Sequence, residues 1–170
     1  MKKVLVLDTS ILCVWLQVPG KDSCGPHSDK WDKQRVDERI EAAIKDKVTF
    51  VLPLATIIET GNHISQAAHS RKERAKALAD LMSKSADQTS PWAAFSEQSA
   101  LWTPEKLKKL AADWPNLATK KLSLGDATIK DVAEYYAQAG YAVEILTGDR
   151  GLKAYEPTVA VEAPRRRQRR

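Results

Sequence analysis

Three observations predict an α/β fold with a central parallel sheet flanked by helices. Short runs of aliphatic and β-branched residues recur along the chain, at 4–7, 48–53 and 142–147. Segments with the 3.6-residue apolar spacing of helices separate them. The first run, Val4-Leu5-Val6-Leu7, has no polar alternation, as expected of a parallel strand covered on both faces.

The elements follow in order. After the strand at 4–7, Val36, Ile40, Ala43 and Ile44 place an apolar stripe on a helix over about 31–46. Val48-Thr49-Phe50-Val51-Leu52 is a second strand, ended by Pro53, which cannot donate to a sheet ladder. A helix over 55–68 turns Ile57, Ile58, Gly61 and Ile64 inward, and a third carries Ala75, Leu78, Ala79, Leu81 and Met82. From Pro91 to Trp114 the pattern reads as two short helices, with Pro91 and Pro104 near their first turns and Thr103 as a cap. The last long helix spans about 124–139 and is closed by Gly140, the residue favoured just past a helix end. Ala142-Val143-Glu144-Ile145-Leu146-Thr147 is a third strand, stopped by Gly148, and 158–161 is a weaker fourth. The organisation expected is one domain over 1–162, a helical insertion at about 71–120, and a basic tail at 163–170 that lacks the apolar residues to fold.

At 170 residues, with 43% apolar and 29% charged residues, the chain has the composition of a globular domain that can bury a core. Cys13 and Cys24 are too few for a disulfide scaffold. Cys13 reads as core and Cys24 as an incidental residue of a polar loop. No apolar run approaches the ~20 residues of a membrane span, and Asp8 cuts short the run that opens like a secretion signal. The expectation is a cytoplasmic chain without a membrane partner. Of the net charge of +5, all comes from Arg165, Arg166, Arg167, Arg169 and Arg170. Without them the 27 basic residues fall to 22, equal to the 22 acidic ones. Such a tail attracts polyanions in a salt-dependent way without reading sequence.

Ligands of open parallel sheets bind beyond the carboxyl ends of the strands. Four acids fall there. Asp8 follows the first strand, Glu59 lies early in the helix after the second, Asp126 opens the last long helix, and Asp149 follows the third strand. Each has an ordinary structural reading: Asp8 as a helix cap, Asp126 as a first-turn acid beside Ser123, Asp149 as a turn residue between glycines. Glu59, flanked by Ile57 and Ile58, fits that reading least, because an unpaired carboxylate on an apolar helix is costly. Together the four form a donor set suited to Mg2+ or Mn2+, which prefer carboxylate oxygens. Without a cation they would repel, raising at least one pKa.

The motifs carrying these acids resemble those of the PIN-domain family of nucleases. Val6-Leu7-Asp8-Thr9-Ser10-Ile11-Leu12 is similar to the family's first motif, and Leu54-Ala55-Thr56-Ile57-Ile58-Glu59-Thr60 to its second. Leu124-Gly125-Asp126-Ala127-Thr128-Ile129 resembles the third, and Ile145-Leu146-Thr147-Gly148-Asp149 the fourth. The resemblance implies a Rossmann-like PIN fold and a metal-dependent endoribonuclease acting on single-stranded RNA. It implies Asp8, Glu59, Asp126 and Asp149 as metal-site acids bound to Mg2+ or Mn2+, with Ser10 and Thr147 orienting them. It also admits the toxin of a toxin–antitoxin pair, an antitoxin partner and a homodimer. Leu152 stands where many relatives carry an aromatic, and the 71–120 insertion exceeds the compact toxins.

Two rival readings bear on function. Phosphatases of the haloacid-dehalogenase type need a second acid two residues after the first, and here Ser10 occupies that position. A catalytically inactive PIN-fold RNA-binding or assembly module would be expected to have lost some of the acids, and all four are present. Asp131, five residues past Asp126, reads as surface. Of the three histidines only His63, one turn after Glu59, is a candidate neighbour of the site. Trp92, Trp102 and Trp114 are either core or base-stacking residues.

Overall fold

A computed structural model describes residues 1–159. The arginine-rich tail and the end of the expected strand at 158–161 lie outside the described residues, and 158–159 are not in a strand. The elements are β1 (Lys3–Leu7), α1 (Thr9–Trp15), β2 (Ser23–Cys24), β3 (Trp31–Asp32), α2 (Lys33–Lys45), β4 (Thr49–Val51), α3 (Leu54–Ser65), α4 (Arg71–Ala86), α5 (Pro104–Thr119), α6 (Leu124–Gln138), β5 (Ala142–Leu146) and α7 (Arg150–Lys153). One 3-10 segment, His27–Asp29, lies between β2 and β3, and a second, Phe95–Leu101, links α4 to α5.

The three-stranded sheet runs β4-β1-β5, all parallel, with Val4 beside Thr49 on one edge and Val143 on the other. Side chains alternate across it. Leu5 and Leu7 join Ile11, Leu12, Val36, Ile40 and Phe50 in one core. Val4 and Val6 join Ile129, Val132, Tyr136 and Ile145 in the other. This explains the uninterrupted aliphatic run in β1. Because β1 is central, the chain leaves it for β4 on one side and returns to β5 on the other. That reversal puts a crevice at the carboxyl end of β1.

The segment 71–120 is partly woven into the core. Phe50 donates its N–H to the Pro91 carbonyl (2.8 Å) and accepts from Ala93 N–H (2.8 Å), so 91–93 covers the outer edge of β4. Trp92 is buried, stacked on Trp15 and edge-on to Phe50. The two short helices expected between 91 and 114 are instead the 3-10 segment and the 16-residue α5, which continues through Pro115. Proline removes the hydrogen bond to the Ala111 carbonyl, and residue 111 is exposed, where water can serve that carbonyl.

Five residues assigned to apolar stripes by spacing point elsewhere: Ile44, Ile58, Ala75, Ala79 and Met82 are exposed. Among the described residues, no helix is long and apolar enough to cross a membrane.

Candidate functional site

The crevice at the end of β1 is built from short connections. Parallel pairing continues past the strand, since Asp8 N–H donates to the Leu146 carbonyl (3.1 Å). Thr56 is fully buried and donates its hydroxyl to the Leu7 carbonyl (2.8 Å). That bond ties α3 to the strand end. Glu59, three residues on, rises on the same side of the helix. The Ser123 hydroxyl caps α6 by accepting the Asp126 N–H (3.0 Å), which sets Asp126 in the first turn. Asp149 heads α7 directly after β5.

All four acids line one cleft of about 340 Å³. Asp8 is buried, Glu59 and Asp126 are half-buried, and Asp149 is exposed. The expected capping role of Asp8 is absent: it occupies the cap position of α1 without a side-chain cap bond. Its Oδ2 instead accepts from Ser10 Oγ (2.8 Å) and Thr147 Oγ1 (2.6 Å). Each hydroxyl is oriented in turn by a backbone donor, Gly148 N–H to Ser10 (3.0 Å) and Asp149 N–H to Thr147 (2.9 Å). Two relays thus converge on one oxygen, leaving Oδ1 available to the cleft. Glu59 Oε2 accepts from Thr9 Oγ1 (2.9 Å). Asp149 does serve as a cap, accepting from Gly151 N–H (2.7 Å), while lining the same cleft.

The electrostatics single out Asp126. Burial, then the charges of Asp8, Asp149 and Glu59, push its carboxyl up to about 6 from 3.8, against a smaller opposing effect of the Ser123 hydrogen bond. This is the response expected of carboxylates crowded in a partly dry site. Among the described residues, no three His, Cys, Asp or Glu side chains are already gathered into metal-holding geometry. The chemistry of the donor set nevertheless fits a hard divalent cation: carboxylate and hydroxyl oxygens, with a surplus of negative charge that a cation would relieve.

Two glycines shape the cleft by what they lack. A Cβ on Gly125 would lie 2.1 Å from Glu59 Oε1, so any other residue there would push the glutamate carboxylate out of its present position. A Cβ on Gly148 would meet Cys24 Sγ at 2.7 Å and the Gly25 nitrogen at 2.8 Å. The short β2–β3 hairpin passes over the end of β5 at this point and brings Ser23 and Cys24 to the cleft. Cys24 is therefore a wall of the site and not the incidental loop residue expected from its polar surroundings. Burial holds its thiol above the ordinary value, in the neutral form that is a poor nucleophile. Lys21 brings an ammonium to the rim, and His63 lines the cleft as its place one turn after Glu59 implied. No sequence pattern marked Lys21, Ser23 or Cys24.

The remaining candidates lie elsewhere. Asp131, expected at the surface, is half-buried beside Lys130 (3.8 Å), with burial raising its carboxyl pKa. Trp114 donates to the Leu122 carbonyl (3.2 Å). Trp102 is 45% exposed. Comparison of the chain with protein-family models, with curated proteins and with solved structures returned no match.

Proposed function

We propose that this chain is a PIN-domain nuclease: an endoribonuclease that uses Mg2+ or Mn2+ to hydrolyse phosphodiester bonds of single-stranded RNA. One observation carries the reading. Four acids from sequence-distant segments line a single cleft at the switch point of the sheet, and they are the four acids of the motif resemblance. The choice of RNA rests on that resemblance.

Asp8, Glu59, Asp126 and Asp149 would hold the cation, which when bound supplies a more acidic water and neutralises charge on the phosphate. The chain's own residues do the rest. Ser10 and Thr147 fix the Asp8 carboxylate through Oδ2, so that Oδ1 keeps one direction. Gly125 leaves the space in which the Glu59 carboxylate lies. The crowding that raises the Asp126 carboxyl to about 6 without a metal is what a bound cation would relieve. Lys21 at the rim can pair with a substrate phosphate.

The test is cleavage of a labelled single-stranded RNA by the purified chain in manganese, magnesium or EDTA, beside Asp126→Asn. Cleavage is expected with either cation and not in EDTA, falling about 10³-fold in the variant. A folded, cation-binding protein that leaves a panel of RNAs intact would replace the nuclease with an inactive RNA-binding or assembly module.

A further inference from the structure

The acid cleft does not end at Glu59. Glu59 also borders a mainly apolar groove of about 230 Å³ whose walls are Leu54, Ile58, Trp102, Leu124 and Thr128. Leu54, Trp102 and Thr128 continue into a narrow furrow that reaches Leu101 and Asp131. Leu101 and Asp131 in turn open onto a third depression bearing Lys106 and Lys109. A trough therefore runs from the carboxylates to an exposed indole, and a nearly closed furrow of about 10 Å³ separates it from the depression at the first turns of α5.

We infer that this trough is the track of a single-stranded RNA, with Trp102 the platform for a base next to the cleaved bond and Lys106 a contact to a neighbouring phosphate. This rests on the nuclease reading above. Three features favour RNA as the occupant. The groove is continuous with the acid cleft through Glu59, so a strand bound at the acids must leave along it or away from it. Ile58 (54%), Trp102 (45%) and Leu124 (47%) are large apolar side chains left exposed together, a flat surface suited to a base. Beyond them the depression at the first turns of α5 carries two lysines and two acids, Asp131 and Glu134, and of the lysines Lys106 makes no ion pair among the described residues. Lys109 is held by Asp113 at 2.5 Å, and the acids at that end, Asp131 and Glu134, lie within ion-pair distance of Lys130. An alternation of cation-ready acids, stacking surface and lysine matches the backbone–base–backbone repeat of a single strand. It also gives the segment around 95–119, which supplies Trp102 and both lysines, a role in substrate binding.

The experiment measures binding of a labelled single-stranded RNA by fluorescence anisotropy across a salt series. Calcium serves as the divalent cation, and RNA integrity is checked on a gel. Trp102→Ala is expected to weaken binding about tenfold or more with the salt slope unchanged, while Trp102→Phe retains most of the affinity. Lys106→Ala is expected to lower the slope of log K against log salt by about 0.7, the value for one phosphate of a single strand. Equal affinity of wild type and Trp102→Ala would overturn the track while leaving the nuclease reading standing, provided the wild type binds and cleaves RNA. The same result with altered self-association of Trp102→Ala would assign the groove to protein contact. A wild type that binds no RNA would overturn both.

Discussion

The two ends of the sheet carry cavities of different size and opposite character. At the amino end a cavity of about 620 Å³ is bordered by Lys2, Ile44, Lys47, Glu97, Tyr136 and Tyr141. Its one acid among the described residues, Glu97, is hydrogen-bonded, and Lys2 and Lys47 bring positive charge instead of more carboxylates. Tyr136 donates to Glu97 at 2.7 Å, and the Phe50 backbone is bonded to 91–93. At the carboxyl end a cleft little more than half as large gathers four carboxylates, one of them pushed to about 6. Size points to one end and chemistry to the other. Electrostatic conflict is destabilising, so a fold that crowds four carboxylates into one crevice makes that crevice the candidate functional site.

That contrast can be broken most forcefully by exchanging one charge at each end. Asp8→Asn keeps hydrogen-bond acceptance from Ser10 and Thr147 but removes the charge. It is expected to reduce RNA cleavage about 10³-fold. Glu97→Gln should leave cleavage within about twofold, measured in the same assay. Comparable losses at both ends would show that the amino end shares in the activity.

The next effect is on stability. Trp92 packs between Trp15 and Phe50, and Trp92→Ala should cost about 3–5 kcal/mol by urea unfolding. Its replacement tests the amino end as structure. A cost near zero would mean that the sheet edge does not depend on 91–93.

Asp126→Asn should move stability the other way. The native carboxyl titrates near 6 and the unfolded one near 3.8, so the native state binds the proton more tightly. The metal-free wild type therefore loses stability as pH rises from about 4 through 6, and the cost is full above that window. Removing the charge is expected to stabilise the fold by between about 1 and 2 kcal/mol at about pH 8, once solvent screening of a half-buried group is discounted. The gain should vanish near pH 4. A variant no more stable than wild type at any pH would remove the evidence for crowding.

The smallest effect belongs to the amino end. Tyr136→Phe should cost about 1 kcal/mol through the lost bond to Glu97, without altering cleavage.

How far the sequence foresaw this contrast depends on whether a feature is local. The aliphatic run of β1, the Val36, Ile40 and Ala43 positions of the α2 stripe and Gly140 closing α6 with φ of +91° follow from residue type and spacing, and all were legible. So was the convergence of Asp8, Glu59, Asp126 and Asp149, because the end of a parallel strand is a defined place. The covering of β4 by 91–93 was not legible, since it depends on a bridge between Phe50 and Trp92 with no periodic signal. Nor was the β2–β3 hairpin, whose two-residue strands carry no pattern and whose packing depends on the missing Cβ of Gly148. Lys21 and Cys24 reach the cleft through that connection, so their surroundings in sequence suggested loop. Ile58 was misassigned because an apolar stripe predicts burial, whereas here it forms one wall of an open groove.

The proposed activity requires that the four carboxylates act as one cation site. The direct measurement is calorimetric titration of the metal-free chain with manganese, beside Asp8→Asn and Asp126→Asn. Saturable binding of one or two ions by the wild type, lost or strongly weakened in both variants, is the expected result. Binding that is absent from a folded wild type, or undiminished when Asp8 and Asp126 lose their charges, would contradict it.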